Sequence, residues 1–214
     1  MDKQTIYSIL LIAGAYLLGA IPTSVWVGRL FYKTDIREHG SGNAGATNTF
    51  RTLGTFAGIP VLLFDVFKGW DAVNLVYIFH IFSPDTRLFL NLQIYLGFAA
   101  VFGHIFPVYV GFRGGKGVAT LMGIGFGLLP FPTLASIGVF IPVFFLFRYV
   151  SLGSIISGIS FIFFTAFVFP DRSLQYIIFS VTISVLLIIT HHENIRRLIK
   201  GEEKKFAFRK KNGT

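Results

Sequence analysis

Along the 214 residues, apolar runs begin near Thr5, Leu53, Thr86, Val118, Thr133, Leu152 and Ser173, each approaching the roughly 20 residues that a helix needs to cross hydrocarbon. Glycine, proline and charged clusters interrupt them at Arg37 to Asn48, at Ser83-Pro84-Asp85, at Gly111 to Gly117, at Pro130 to Pro132, at Arg148 to Ser151 and at Pro170-Asp171-Arg172. The pattern predicts an all-α integral membrane protein of about seven transmembrane helices. The fourth and sixth runs are short, which keeps six spans as the alternative. The first run, from Thr5 to Phe31, is longer than a signal-peptide core and lacks an A-x-A-type exit, so it reads as a retained first span. No residue period marks a solenoid and no polar linker divides the chain. Residues 1–214 therefore read as a single membrane-embedded domain, with 201–214 as a basic tail.

Composition agrees with that solvent: 53% of residues are hydrophobic and 14% charged, too little polar surface to cover a water-soluble globule. Charge adds direction. If the odd-numbered helices run inward, fifteen of the nineteen Lys and Arg fall on one side, and Lys3, Arg87 and Arg172 fall opposite. The positive-inside rule then sets the N-terminus outside and the C-terminus in the cytoplasm. The net charge of +9 is accounted for by contact with an anionic lipid bilayer and calls for no nucleic acid. With no cysteine, thiolate metal sites, disulfides and cysteine-bound acyl intermediates are excluded.

That orientation gathers three polar segments on the cytoplasmic side. The first, His39 to Arg51, carries Gly40, Gly42 and Gly45 around Ser41 and Asn43, and a helix starting near Ala44 sets Asn48 and Arg51 on one face. The second, Gly103 to Thr120, is stopped by Pro107 and holds Gly114 and Gly115 beside Arg113 and Lys116, where free amides and a helix N-terminus suit a phosphate. It is not a nucleotide P-loop, since that pattern needs Gly where Val110 stands and Ser or Thr where Gly117 stands. The third, His191 to Lys204, places His191 and Asn194 on one face of a continuing helix and His192 with Arg196 on another. Adjacent histidines point about 100° apart, so a shared metal is not expected, and nothing calls for a cofactor.

Two other pairs read differently. Asp65 and Lys68, three apart in an apolar run, are expected to form an internal ion pair holding helices together. His80 and Asp85 match an H-x-x-x-x-D spacing used by another acyltransferase class, but they lie in an outer loop away from every phosphate feature and are treated as coincidence.

At the three polar segments the chain resembles the bacterial membrane glycerol-3-phosphate acyltransferases that use acyl phosphate, the PlsY family. The family's S-G-N-x-G-A-T-N-x-x-R appears at Ser41 to Arg51, F-R-G-G-K-G at Phe112 to Gly117, and H-x-E-N-I-x-R-L-x-x-G-x-E at His191 to Glu203, in order, with D-x-x-K-G at Asp65 to Gly69. The resemblance implies transfer of an acyl group from acyl phosphate to the sn-1 hydroxyl of glycerol 3-phosphate, giving lysophosphatidic acid and orthophosphate. It also implies a place in the bacterial cytoplasmic (inner) membrane and an upstream acyl-phosphate synthase as a possible docking partner. On this reading Gly114, Gly115, Lys116 and Ser41 hold one phosphate, while Arg51 and Asn194, with Asn43 and Asn48, bind the glycerol 3-phosphate headgroup. His191 orients or deprotonates the hydroxyl, unless donor phosphate takes that proton. The 26 phenylalanines and the aliphatic faces offer an acyl slot between helices but fix no chain length. The rival reading, a transporter of a small phosphorylated anion, expects polar residues through the midplane and inverted repeats, neither of which the sequence displays.

Overall fold

The computed structural model describes residues 2–80, 82–84, 86–169 and 173–206. Helices make up the framework, with no strand among the described residues. In chain order they are α1 (Lys3–Gly19), α2 (Thr23–Tyr32), α3 (Ala46–Leu53), α4 (Thr55–Asn74), α5 (Arg87–Ile105), α6 (Val118–Leu128), α7 (Pro130–Phe147), α8 (Val150–Phe163, continued by a π-helical turn Phe164–Val168), α9 (Leu174–Thr190) and α10 (His192–Ile199). Local chemistry sets several starts. The Asp2 carboxylate accepts the Thr5 amide at 2.7 Å, the Thr86 hydroxyl accepts that of Phe89 at 3.2 Å, and Pro130 opens α7 where its missing N–H costs nothing.

Among the described residues, three helical stretches, Arg87–Val110, Pro130–Phe147 and Val150–Val168, are long and apolar enough to cross a membrane, and two bent pairs bring the number to as many as five if each pair is one span. One bent pair corrects the expectation of a continuous first span. The chain breaks at Ala20–Pro22, and α2 leaves α1 at 42°, because Pro22 donates no hydrogen bond and interrupts the ladder. The other pair, α9 and α10, bends by 61° at His191. Likewise α3 does not run into α4: Gly54, at φ 90°, separates them. The predicted break at Pro170-Asp171-Arg172, the residue Asp85 and the end of the tail from 207 lie outside the described residues.

Small residues decide which helices meet. A Cβ on Gly19 would stand 2.6 Å from the Ala100 carbonyl carbon, and one on Gly103 would stand 2.7 Å from the Ala20 nitrogen, so α1 and α5 pack backbone to backbone. Gly69 against Thr120 and Gly123 against Val66 do the same for α4 and α6. Close approach through small residues is the usual way helices associate where lipid removes the hydrophobic drive. Outward faces carry large apolar side chains, with Phe56 87% and Leu146 76% exposed.

The expected ion pair is present. Lys68 and Asp65 meet at 2.8 Å, both nearly fully buried. Lys68 Nζ also donates to the Ile21 carbonyl at 2.9 Å, an acceptor freed by the α1–α2 break, and the Thr23 hydroxyl donates to Asp65 at 3.1 Å. One neutral pair on α4 thus pins the bend between α1 and α2.

Candidate active site

The three polar segments meet at one end of the bundle, where α4 begins and α5 and α9 end. In the first, a 3-10 turn (Ile36–Glu38) is tied down by Asp35, which takes hydrogen bonds from Arg29 at 2.8 Å and from Arg37 at 2.8 and 3.0 Å. Those cations hold the Asp35 carboxyl well below the usual range. Arg37 reaches across to the Val110 carbonyl at 2.8 Å, joining this loop to the second segment. Asn48 is fully buried. Its amide donates to the Ile36 and His39 carbonyls at 2.9 and 3.0 Å, and its oxygen accepts the Ser41 amide at 2.9 Å. Asn48 therefore shapes the loop that presents Ser41 and Asn43 to the cavity.

The second segment corrects the expectation of free glycine amides. Gly114 N–H donates to the Ile105 carbonyl and Gly115 N–H to that of His104, each at 3.1 Å. The glycines are needed for space: a Cβ on Gly115 would stand 2.6 Å from the Ala44 carbonyl oxygen, and one on Gly114 would stand 2.6 Å from that of Ile105. The segment folds tightly onto the end of α5, with His104 beneath it held by the Thr120 hydroxyl at 3.1 Å. What this delivers to the cavity is Lys116, followed by Gly117 in a left-handed conformation (φ 81°) capping α6. The first turns of α6 and α3 both border the cavity, through Val118 and Ala119 and through Ala46 and Thr47, and the first N–H groups of a helix have no partner within it.

In the third segment the bend separates the two histidines. His191 is 3% exposed and borders the cavity, whereas His192 faces outward. His191 Nδ1 lies 2.8 Å from the Leu187 carbonyl. A carbonyl only accepts, so Nδ1 carries the proton and Nε2 keeps its lone pair. Lys116 donates to the Asn194 side-chain oxygen. Asn194 in turn donates to Glu203 at 2.6 Å, and the same carboxylate accepts Ser151 at 2.7 Å and Arg197 at 2.8 Å.

Glu203 belongs to residues that the sequence assigns to a tail. Residues 202–206 instead fold back over the site. Arg51 donates to the Lys204 carbonyl at 2.9 Å, the Phe206 amide donates to that of Arg148 at 2.7 Å, and the Phe206 ring contacts Phe50 and Phe144. Sequence reasoning assigned no role to Glu203, Ser151 or Phe206. The one signal was Glu203 as the final position of the third motif.

The electrostatics are one-sided. Lys116 is pushed down to about 8, chiefly by burial and then by Arg197, against the pull of Glu203, with Arg51 adding to the repulsion. Burial also lowers Arg51, whose Nε is buried without a partner. Burial alone would raise Glu203, but hydrogen bonds from Arg197, Asn194 and Ser151 hold its carboxyl below its ordinary value. Three cations thus surround one carboxylate at the head of a cavity of about 550 Å³, whose deeper walls are apolar, with Met122, Ile137, Phe140, Phe161 and Leu187 among them. Such a site suits an anionic headgroup attached to a hydrocarbon chain.

Comparison with known proteins agrees. The family model described as glycerol-3-phosphate acyltransferase matches residues 9–201. A glycerol-3-phosphate acyltransferase of Macrococcus caseolyticus is 47% identical, over 94% of this chain and 98% of that one. That of Chlorobium phaeobacteroides is 41% identical, over 94% and 97%. The crystal structure of PlsY, an integral membrane glycerol 3-phosphate acyltransferase, in its glycerol 3-phosphate form superposes with a TM-score of 0.82 at 39% identity, covering 94% of this chain and 96% of that one. Its lysophosphatidic acid form gives 0.80 at 38% identity, with the same coverage. By sequence and fold, the chain belongs to the glycerol-3-phosphate acyltransferase family of integral membrane enzymes.

Proposed function

We propose that the acyl donor is acyl phosphate and that the products are lysophosphatidic acid and orthophosphate, formed at the cytoplasmic face of a bacterial inner membrane. The observation that carries this reading is the surplus of cations, Lys116, Arg51 and Arg197 around Glu203, set directly above an apolar cavity. Such cations suit phosphate oxygens, and acyl phosphate would bring a phosphate to the reacting carbon, whereas a thioester donor would bring none there.

The seven segments α1–α2, α4, α5, α6, α7, α8 and α9–α10 cross the bilayer, N-terminus outside. The charges of Asp65 and Lys68 on α4 are tolerated because each is the other's partner. Lys116, Ser41 and the first turn of α6 hold the donor phosphate. Arg51, Asn194 and Asn43 hold glycerol 3-phosphate, and Asn48 acts one step back by shaping the Ser41 loop. Gly114 and Gly115 serve by letting the Lys116 turn pack closely.

The sn-1 oxygen attacks the acyl carbon, a C–O bond forms and the C–O bond to phosphate breaks. The hydroxyl proton is taken up by His191 Nε2 and ends on the departing phosphate, so charge balances without a covalent enzyme intermediate. The acyl chain lies in the apolar part of the cavity.

Purified protein given glycerol 3-phosphate with acyl phosphate, acyl-CoA or acyl carrier protein tests the donor. Orthophosphate and lysophosphatidic acid are expected in equal amounts from acyl phosphate. Product from thioesters alone overturns the assignment. Orientation is read by single cysteines introduced in this cysteine-free chain: Lys200→Cys is expected to resist an impermeant maleimide added to intact cells, and His80→Cys to react with it.

A further inference from the structure

The apolar part of the cavity is built in levels. From Ser151, which touches Glu203, α8 descends through Ser154 and the pair Ser157-Gly158 to Phe161, ten residues and so about 15 Å at 1.5 Å per residue. From His191, α9 descends in the opposite chain direction to Leu187 and then to Ser184, seven residues or about 10 Å. Ser157 and Gly158 lie six and seven residues below Ser151, at about the same depth. Hydrogen bonds fix that register. The Ser157 hydroxyl donates to the Ser136 carbonyl of α7 at 2.8 Å, and the Ser184 hydroxyl donates to the Gly158 carbonyl of α8 at 2.7 Å.

At this one depth three helices therefore present small side chains, Ser136, Ser157, Gly158 and Ser184, all bordering the cavity. Phe140 and Leu187 stand above this level and Phe161 below it, with the smaller Ser154 above on α8 and Thr133 below on α7. The serines do not make the level polar. The hydroxyls of Ser136, Ser154, Ser157 and Ser184 all donate to backbone carbonyls at 2.7 to 2.9 Å, so none of these protons is left free for a ligand. A ligand crossing here meets an apolar slot whose width depends on the absence of bulk.

We propose that the small-residue level at Ser157, Gly158 and Ser184 is the chain-length determinant of this enzyme, the gap through which the distal part of the acyl chain passes. This rests on the reading that the donor is acyl phosphate with its chain in this cavity. A short acyl group ends above the level and is indifferent to it, whereas a long one must pass it. Side-chain bulk placed there selects by length, in the way that methylene-sized differences in an apolar pocket are worth about 10- to 200-fold in discrimination.

The test compares octanoyl phosphate and palmitoyl phosphate at saturating glycerol 3-phosphate, for wild type, Gly158→Leu and Gly158→Ala in the purified full-length protein. Gly158→Leu is expected to lower the palmitoyl-to-octanoyl ratio of kcat/KM at least tenfold while octanoyl turnover persists, which also reports a folded active site. Gly158→Ala, whose added methyl would meet Leu187 side-chain atoms at 3.3 to 3.9 Å, is expected to move the ratio the same way by a smaller factor. Should Gly158→Leu be inactive with both donors, Gly158→Ala decides. An unchanged ratio in that variant overturns the proposal. A wild-type enzyme that uses neither acyl phosphate overturns the donor reading instead, while an active wild type whose ratio no variant moves overturns the length determinant alone.

Discussion

Two clusters of buried charge lie close together in this molecule and behave in opposite ways. Asp65 and Lys68 are matched one to one, and their spare hydrogen-bonding capacity goes to the Thr23 hydroxyl and the Ile21 carbonyl. Around Lys116 the balance fails, with Arg51 and Arg197 beside it, one carboxylate at Glu203, and Arg51 Nε buried without a partner. The same residue types give a fastener where charges cancel and, in the function proposed above, a receptor where they do not. Burial of charge is thus a poor guide to function until the partners are counted.

The comparison is broken most forcefully at Lys68. Lys68→Ala leaves the Asp65 carboxylate buried and unpaired, a change that costs about 3–5 kcal/mol in other buried pairs. A large fall in thermal midpoint in detergent is expected, and Asp65→Leu combined with Lys68→Met should recover much of it. If the single variant melted like the pair-replaced one, the fastener interpretation would be wrong.

Lys116→Ala should do the reverse. Removing one cation from a surplus relieves repulsion in the empty site, so the melting midpoint should hold or rise. Turnover should fall by about 10²–10³, the scale for losing one group that stabilises developing negative charge, and Arg51→Ala should behave alike. Loss of folded protein in step with activity would place Lys116 with Lys68 as a structural charge.

Titration sharpens the same contrast. The Lys116 value in the fold is about 8, lowered from its ordinary 10.5, so in the free enzyme its charge is lost as pH rises through about 8. The unfolded chain holds that proton until higher pH. Stability of the free protein therefore gains from this residue between about pH 8 and 10.5, while affinity for phosphate falls over the same interval. A pH profile of kcat/KM should show an alkaline limb near 8, and Lys116→Arg, which stays charged, should remove it. A limb unmoved by that substitution would assign it to another group.

How much of this was legible beforehand depends on what kind of fact it is. Helix starts were readable: those expected at Thr5, Leu53, Thr86, Val118, Thr133, Leu152 and Ser173 fall within three residues of Lys3, Thr55, Arg87, Val118, Pro130, Val150 and Leu174, because hydropathy and turn residues are local. The Asp65–Lys68 pair was readable too, since an i,i+3 spacing in an apolar helix leaves few other partners. The bends at Pro22 and His191 were not, because an apolar run continues through the first and a helical pattern through the second. Nor could the sequence tell whether the amides of Gly114 and Gly115 were free, for that depends on the His104 and Ile105 carbonyls across the turn. Glu203 is the clearest case: its role exists only because residues 202–206 fold back, and nothing local to Glu203 announces a contact with Ser151, 52 positions away.

The smallest expected effect lies at the far end of α4, and it tests whether chemistry is confined to one end of the bundle. His80 is exposed and has φ 50°, a left-handed conformation costing an L-residue about 1–2 kcal/mol, which glycine adopts freely. It follows α4, whose 20 residues extend about 30 Å from the end where Gly54 adjoins Arg51 on α3. His80→Gly should leave kcat and KM unchanged and hold or slightly raise the melting midpoint, because it relieves backbone strain without touching the cavity. His80→Ala should be equally silent in turnover but gain no stability, since alanine pays the same conformational cost. Loss of activity in both would move catalysis to the opposite end and leave the charge surplus at Lys116 without a purpose.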